Sequence, residues 1–515
     1  MKPDSFLRGA FILTAAGLLV KVLGALYRIP FTRLVGSEGV GLYQMAYPIY
    51  ATLLALSTSG LPVAISLLVA EKGALGDRQG ACQTFFLSLM VLFVLGLLLS
   101  LGLFELAPYL ATEVLGDVRA YYALIAVAPA VLVISVVSAF RGYFQGWQLM
   151  WPTALSQFVE QLVRVGTIFW AALALLPRGV EFAAAGAAFG AFSGGFGSLL
   201  VLFGIFLWFE KTAPVNAKPR RVGPALSGGA GHLLKRLFAY AFPVSAGSLV
   251  MPLVQTIDAV MIPNRLRAAG YAAREATSLF GELSGMAGTL VYLPAVFTVS
   301  LASSLVPNVA AALARGDRKE IRRQVATALR ITVIFCLPAA VGLGVLAAPI
   351  TALLFGDPGA GPVTAWLAPA AFFSGLQQTT SGALQGLGFT WLPMVNLMVG
   401  CGVKILCNYY LTVLPGLGIK GAALGSIFGF FTASLLNHLS LRHLIKYEEP
   451  MFFLLRPLLA ATIMGAGLPG FYSFLSPAGD LVATCGAVLA GGATYFAVLL
   501  GTGELRLSEV RRIFR

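Results

Sequence analysis

The chain has 515 residues, 58% of them hydrophobic and only 11% charged, with 35 Lys and Arg against 21 Asp and Glu and a formal net charge of +14. Soluble domains carry about 25% charged residues, so this composition excludes a soluble globular protein. A mean hydropathy of +0.86 asks instead how many helices of roughly 20 apolar residues cross a bilayer, and about fourteen fit, leaving loops too short for a soluble domain.

In chain order the apolar stretches are 9–30, 42–70, 82–107, 120–140, 153–176, 182–209, 237–262, 277–305, 326–355, 363–386, 391–414, 420–445, 452–475 and 481–501. The fold class expected is an all-α polytopic membrane protein. The first stretch follows Lys2 and Arg8 as a signal peptide would, but it contains Lys21 and has no small-x-small cleavage site, so it reads as a retained span. Gly17, Lys21, Gly24 and Arg28 recur at helical spacing and make one polar face. That face is either a cation ladder for an anionic ligand, or a structural one, with Lys21 paired to a neighbouring helix and Arg28 reaching the headgroups. Tyr43, Tyr47 and Tyr50 open the second stretch and read first as an interfacial aromatic belt, with stacking on sugar rings as the alternative.

A charge within a span costs about 2.5–3.5 kcal/mol on insertion scales and therefore marks a candidate site. The fifth stretch holds Glu160 and Arg164, an i,i+4 ion pair; the seventh Asp258; the eighth Glu282; the eleventh Lys404, flanked by Asn396 and Asn408. Lys21, Arg28, Arg164 and Lys404 are the candidate substrate-binding cations, with structural pairing as the alternative for Arg164 and Lys404. Asp258, Glu282 and Glu160 are candidate gate or ion-coupling acids. The five cysteines lie in or beside apolar stretches without C-x-x-C spacing, so neither disulfides nor a metal site is expected.

Placing the N-terminus in the cytoplasm puts 24 basic residues on the inner side and eight outside, with Arg141 counted in the fourth-to-fifth connection. Much of the positive charge is thus a topology signal that needs no nucleic-acid partner. The expected location is the bacterial cytoplasmic membrane, with both termini on its cytoplasmic side.

The sequence also repeats itself. Arg141-Gly142-Tyr143-Phe144-Gln145-Gly146 returns 240 residues later as Ser381-Gly382-Ala383-Leu384-Gln385-Gly386, Gly76-Asp77-Arg78 as Gly316-Asp317-Arg318, and Arg164 as Lys404; Gly186 and Gly190 return as Gly421 and Gly425. Two six-helix lobes of like orientation are expected: 1–210 and 237–446, joined by a basic linker, 211–236, and followed by two further spans and a basic tail, 447–515.

These residues, with Tyr27-Arg28-Ile29-Pro30, Gly39-Val40-Gly41-Leu42-Tyr43-Gln44 and Ala46-Tyr47-Pro48-Ile49-Tyr50, resemble the multidrug/oligosaccharidyl-lipid/polysaccharide (MOP) exporter superfamily. The resemblance is to its stage V sporulation protein B-like polysaccharide branch, near the MurJ lipid II flippases. It implies flipping or export of a polyprenyl-diphosphate-linked glycan, lipid II among the candidates, by alternating access, in cell-wall, spore-cortex or polysaccharide synthesis. The alternative is a cation-coupled multidrug exporter of the same superfamily. No enzyme activity and no cofactor are expected, Na+, H+ or the membrane potential being the candidate coupling sources. The expected partners are the glycan lipid and bilayer lipids, around a monomer.

Overall fold

Inside a bilayer an apolar chain must satisfy its backbone internally, which leaves the helix as its natural form. In the computed structural model the residues described are 27–212, 230–446 and 452–504, with Gly17, Leu23 and Gly24 ahead of them, and their regular structure is helical, joined by short turns. Its helices are α1 (Arg28–Thr58), α2 (Leu61–Ala74), α3 (Arg78–Tyr109), α4 (Ala120–Gly146), α5 (Trp151–Leu175), α6 (Val180–Thr212) and α7 (Ala230–Ala268). There follow α8 (Ala273–Gly281), α9 (Gly288–Val291), α10 (Leu293–Ala314), α11 (Arg318–Val345), α12 (Ala347–Phe355), α13 (Ala360–Leu367) and α14 (Pro369–Gly386). The last four are α15 (Trp391–Leu411), α16 (Ile419–Ile445), α17 (Phe452–Leu475) and α18 (Asp480–Gly501).

Eleven helices among the described residues are long and apolar enough to cross a membrane, or twelve if α7, bent by 61° between Phe242 and Gly247, is one span. The chain is a multi-pass membrane protein. Of the fourteen stretches expected, two fall outside that count. The stretch 9–30 lies largely outside the described residues, and 363–386 is divided at Ala368 into α13 and α14. Breaks fall where the sequence supplies a reason. Gly36 interrupts α1 with φ +68°, and Pro62 and Pro294 start new helices just after breaks at Ser59-Gly60 and Tyr292, where a missing N–H costs nothing.

The chain divides into two compact units, Met1–Val260 and Met261–Arg515. In the first, Gly142 and Gly146 of α4 lie against α2 so closely that added Cβ atoms would stand 2.8 Å from the Pro62 carbonyl oxygen and 2.6 Å from Val69 Cβ. Gly186, Gly190 and Gly194 let α6 press on α5 in the same way. Phe85, Phe140, Tyr143 and Phe206 pack as a ring cluster at one end, where Glu210 accepts from Arg78 and Tyr143, each at 2.8 Å. At the other end Arg119 binds Asp117 at 2.7 Å and also Glu38, contacts that raise its pKa.

The α1–α2 segment also runs beside α7. Thr52 meets Thr256 at 2.8 Å, the Gly60 amide donates to the Ser245 hydroxyl at 3.1 Å, and Arg236 pairs with Glu71 at 2.6 Å. At the centre of this row a Cβ on Gly60 would collide with the Ala241 carbonyl.

In the second unit, Gly382 and Gly386 of α14 approach Ala302 and Val309 of α10, each to 2.8 Å of an added Cβ, and Gly429 of α16 approaches Lys404 of α15, also to 2.8 Å. Asp77 and Asp317, each after a glycine of positive φ, cap α3 and α11 by accepting from Gly80 N (2.7 Å) and Glu320 N (2.9 Å). The two Gly-Asp-Arg motifs therefore build the same helix start.

Candidate functional site

Two helices of the first unit, α4 and α5, bring charges together, and α6 packs beside them. Arg141 of α4 donates from Nη2 to Glu160 Oε2 at 2.8 Å and to Ser198 Oγ of α6 at 3.1 Å, and from Nε to Ser156 Oγ at 3.1 Å. Arg164 donates to the other carboxylate oxygen, Glu160 Oε1, at 2.9 Å. The side chains of Arg141, Glu160 and Arg164 are 15%, 15% and 14% exposed, buried enough for the pairing to offset part of the lost hydration. Two guanidiniums share one carboxylate, so the cluster keeps one positive charge.

Backbone packing aims these groups. A Cβ on Gly194 would lie 2.6 Å from the Glu160 carbonyl and 2.9 Å from Arg164 Cβ, so the closeness of α6 leaves the Arg164 stem no room on that face. Glu160 and Arg164 are one turn apart and the pair expected from their spacing forms. The cluster borders a cavity of about 390 Å³, lined also by Tyr47, Tyr50, Thr58 and Ser138. That volume is within the range of pockets that enclose small ligands. The tyrosines form a row: Tyr43 and Tyr47 stack at 5.4 Å and Tyr47 meets Tyr50 at 5.6 Å. Their reading as an interfacial belt is corrected here, because Tyr43 and Tyr50 are buried inside the unit rather than turned to lipid. Two polar atoms beside the cavity are buried without a hydrogen-bond partner among the described residues: the Tyr50 hydroxyl and Nε of Arg164.

Arg141 was missed as an intramembrane charge. The apolar run of the fourth stretch ends at 140, but the helix continues to Gly146 and carries Arg141 into the bundle. The repeated Arg-Gly-Tyr-Phe-Gln-Gly motif was the available signal.

The other candidates lie elsewhere. Lys21 is outside the described residues. Arg28 begins α1 and is half-buried, and Gly24, on the same expected face, looks onto α5, where its added Cβ would be 3.6 Å from Nε2 of Gln161. Asp258 is buried on the part of α7 that belongs to the first unit. In the second unit Glu282 opens a π-helical turn, Glu282–Ala287, a distortion often found at working sites. Lys404 is half-buried on α15 between the buried Asn396 and Asn408. There Asn396 donates to Asn437 at 2.9 Å, and Asn437 to Ser381 at 3.0 Å and Thr380 at 3.2 Å, a network of neutral groups.

Residues 6–313 match the model of a family described as polysaccharide biosynthesis protein, and residues 282–410 that of the family described as MatE. Stage V sporulation protein B of Bacillus subtilis (strain 168) is 32% identical over 517 residues, covering 100% of this chain and 98% of that protein. The lipid II flippase MurJ of the same organism is 28% identical over 461 residues, covering 86% of this chain and 84% of that protein. Among solved structures, a lipid II flippase MurJ in an inward closed conformation superposes with a TM-score of 0.68 at 17% identity, covering 95% of this chain and 98% of its own. An inward-facing multidrug resistance MATE family transporter of the MOP superfamily gives 0.67 at 17% identity, covering 85% and 98%. At such identities the two structures show a shared fold.

Proposed function

Because the chain belongs to the polysaccharide biosynthesis protein family of the MOP superfamily, beside stage V sporulation protein B and the MurJ flippases, we propose that it flips a polyprenyl-diphosphate-linked glycan across the plasma membrane. The observation that carries this reading is the surplus positive charge of Arg141, Glu160 and Arg164 on a cavity lined by membrane-spanning helices. A guanidinium pairs with phosphate oxygens through directed, charge-assisted hydrogen bonds, and a diphosphate is the anionic part of such a lipid. Arg164 is the primary headgroup ligand in this reading, with Lys21, Arg28 and Lys404 contributing the rest of the cationic path. Two lobes, 1–210 and 237–446, alternate in access, with the last two spans beside them. Asp258 and Glu282 serve as gate or coupling acids, Na+, H+ or the membrane potential supplying the drive.

The MATE-like fold admits a second reading, a cation-coupled multidrug exporter. The cluster's positive charge weighs against it, since a cationic drug would meet repulsion there.

The test is translocation in proteoliposomes of fluorescent lipid II and of a non-peptidyl polyprenyl-diphosphate sugar. Wild type should move at least one of them. Arg164→Ala should insert normally and flip at least about tenfold more slowly, as loss of a hydrogen bond between charged groups implies. Failure to move either lipid under any ion gradient or potential, with efflux of a cationic dye instead, would select the exporter.

A further inference from the structure

We propose that Glu160 is a resident counter-anion, a carboxylate that occupies Arg141 and Arg164 until the diphosphate of the substrate displaces it and that reclaims them when the substrate leaves. This rests on the flippase reading above and deepens it by giving the binding site its release step.

Geometry is the first support. The two carboxylate oxygens each take one guanidinium, at 2.8 and 2.9 Å, so a single acid bridges two bases that come from different helices. A diphosphate offers more charge and more acceptor oxygens than a carboxylate, and can take both guanidiniums together. Arg141 would stay aimed during the exchange, because Ser156 and Ser198 hold it independently of Glu160. Arg164 has a further donor to offer, its buried Nε.

The second support is the chain's own control. At an offset of 240 residues, Arg141, Ser156, Glu160 and Arg164 correspond to Ser381, Asn396, Gly400 and Lys404. In the second unit those helices are joined through Asn396, Asn437 and Ser381, and Gly400 stands at the position of Glu160. Packing of such a helix trio thus does not require the Arg–Glu–Arg bridge. A charged bridge between largely buried side chains is costly to build and is weak evidence for stability, so its presence on a cavity calls for a role in binding.

Counting charge makes the proposal quantitative. The cluster is at +1 in wild type, +2 in Glu160→Gln, zero in Arg141→Gln, and +1 again in the double variant. Glutamine keeps the shape of the acid and removes its competition. Binding of a fluorescent polyprenyl-diphosphate N-acetylglucosamine to the full-length protein in nanodiscs should therefore be about tenfold tighter in Glu160→Gln than in wild type. It should be at least tenfold weaker in Arg141→Gln and return to within about threefold of wild type in the double variant. Single-turnover flipping should move oppositely in Glu160→Gln, falling about tenfold because release is slowed, whereas a merely structural bridge would weaken binding and flipping together.

Inorganic pyrophosphate and phosphatidylglycerol nanodiscs separate the sources of the anion. Competition by pyrophosphate in the same order of variants supports the assignment to a diphosphate. Equal competition by phosphatidylglycerol overturns it, as does a charge order seen with pyrophosphate but absent with the glycan lipid. If wild type flips lipid but Glu160→Gln binds no tighter, the role of Glu160 falls and the flippase stands. If wild type flips neither lipid, the flippase reading falls and takes this one with it.

Discussion

Arg141 spends one guanidinium on three partners, and Arg164 keeps a buried nitrogen in reserve beside the equally unpartnered hydroxyl of Tyr50. A buried donor without an acceptor normally costs about 1–3 kcal/mol, so removing the Tyr50 hydroxyl should not weaken the fold. Tyr50→Phe is expected to leave the melting temperature in detergent unchanged or slightly raised while reducing flipping severalfold, measured on the same preparation. Unchanged flipping would mean that the hydroxyl does not face the substrate. The Glu160–Arg164 pair was legible in the sequence, because four residues on a helix always bring side chains together. Arg141 was not, since hydropathy locates the end of an apolar run rather than the end of a helix. The tyrosine row was misread for a related reason: nearness to the end of a span says nothing about which side of the helix meets protein and which meets lipid.

Whole helices are positioned here by what is missing from them. The α1–α2 segment can lie along α7 because residue 60 has no side chain, and Gly60→Val would drive a branched carbon into the Ala241 carbonyl. Overpacking of this kind costs about 1–3 kcal/mol, so that variant should melt several degrees lower; Thr52→Val, which removes only a hydroxyl contact, should lose less. An unchanged melting temperature in Gly60→Val would show that the two helices do not meet this closely. Gly186 and Gly190, with their counterparts Gly421 and Gly425, stood out in the sequence only as a repeat; that glycines here mark close helix contacts is visible once the helices are placed. The interruptions of α1 at Gly36 and of 363–386 at Ala368 were hidden, because a run of apolar residues looks the same whether one helix or two pass through it.

Across the molecule, membrane class and most spans could be read from composition and hydropathy, since the bilayer demands both from every crossing segment. Orientation follows from the bias of basic residues and is open to direct measurement. In a cysteine-free background, Ala217→Cys in the basic linker should resist a membrane-impermeant maleimide in intact cells, while Ser476→Cys between the last two helices should react. The reverse pattern would invert the expected topology. The size of the cavity in the first unit has a further consequence. About 390 Å³ accommodates a charged head and a sugar but not a polyprenyl chain, whose every methylene would cost about 0.8 kcal/mol to withdraw from lipid. If the tail therefore never leaves the hydrocarbon, carriers of different isoprenoid length should cross at the same speed, and the protein would in effect be blind to the longest part of its cargo.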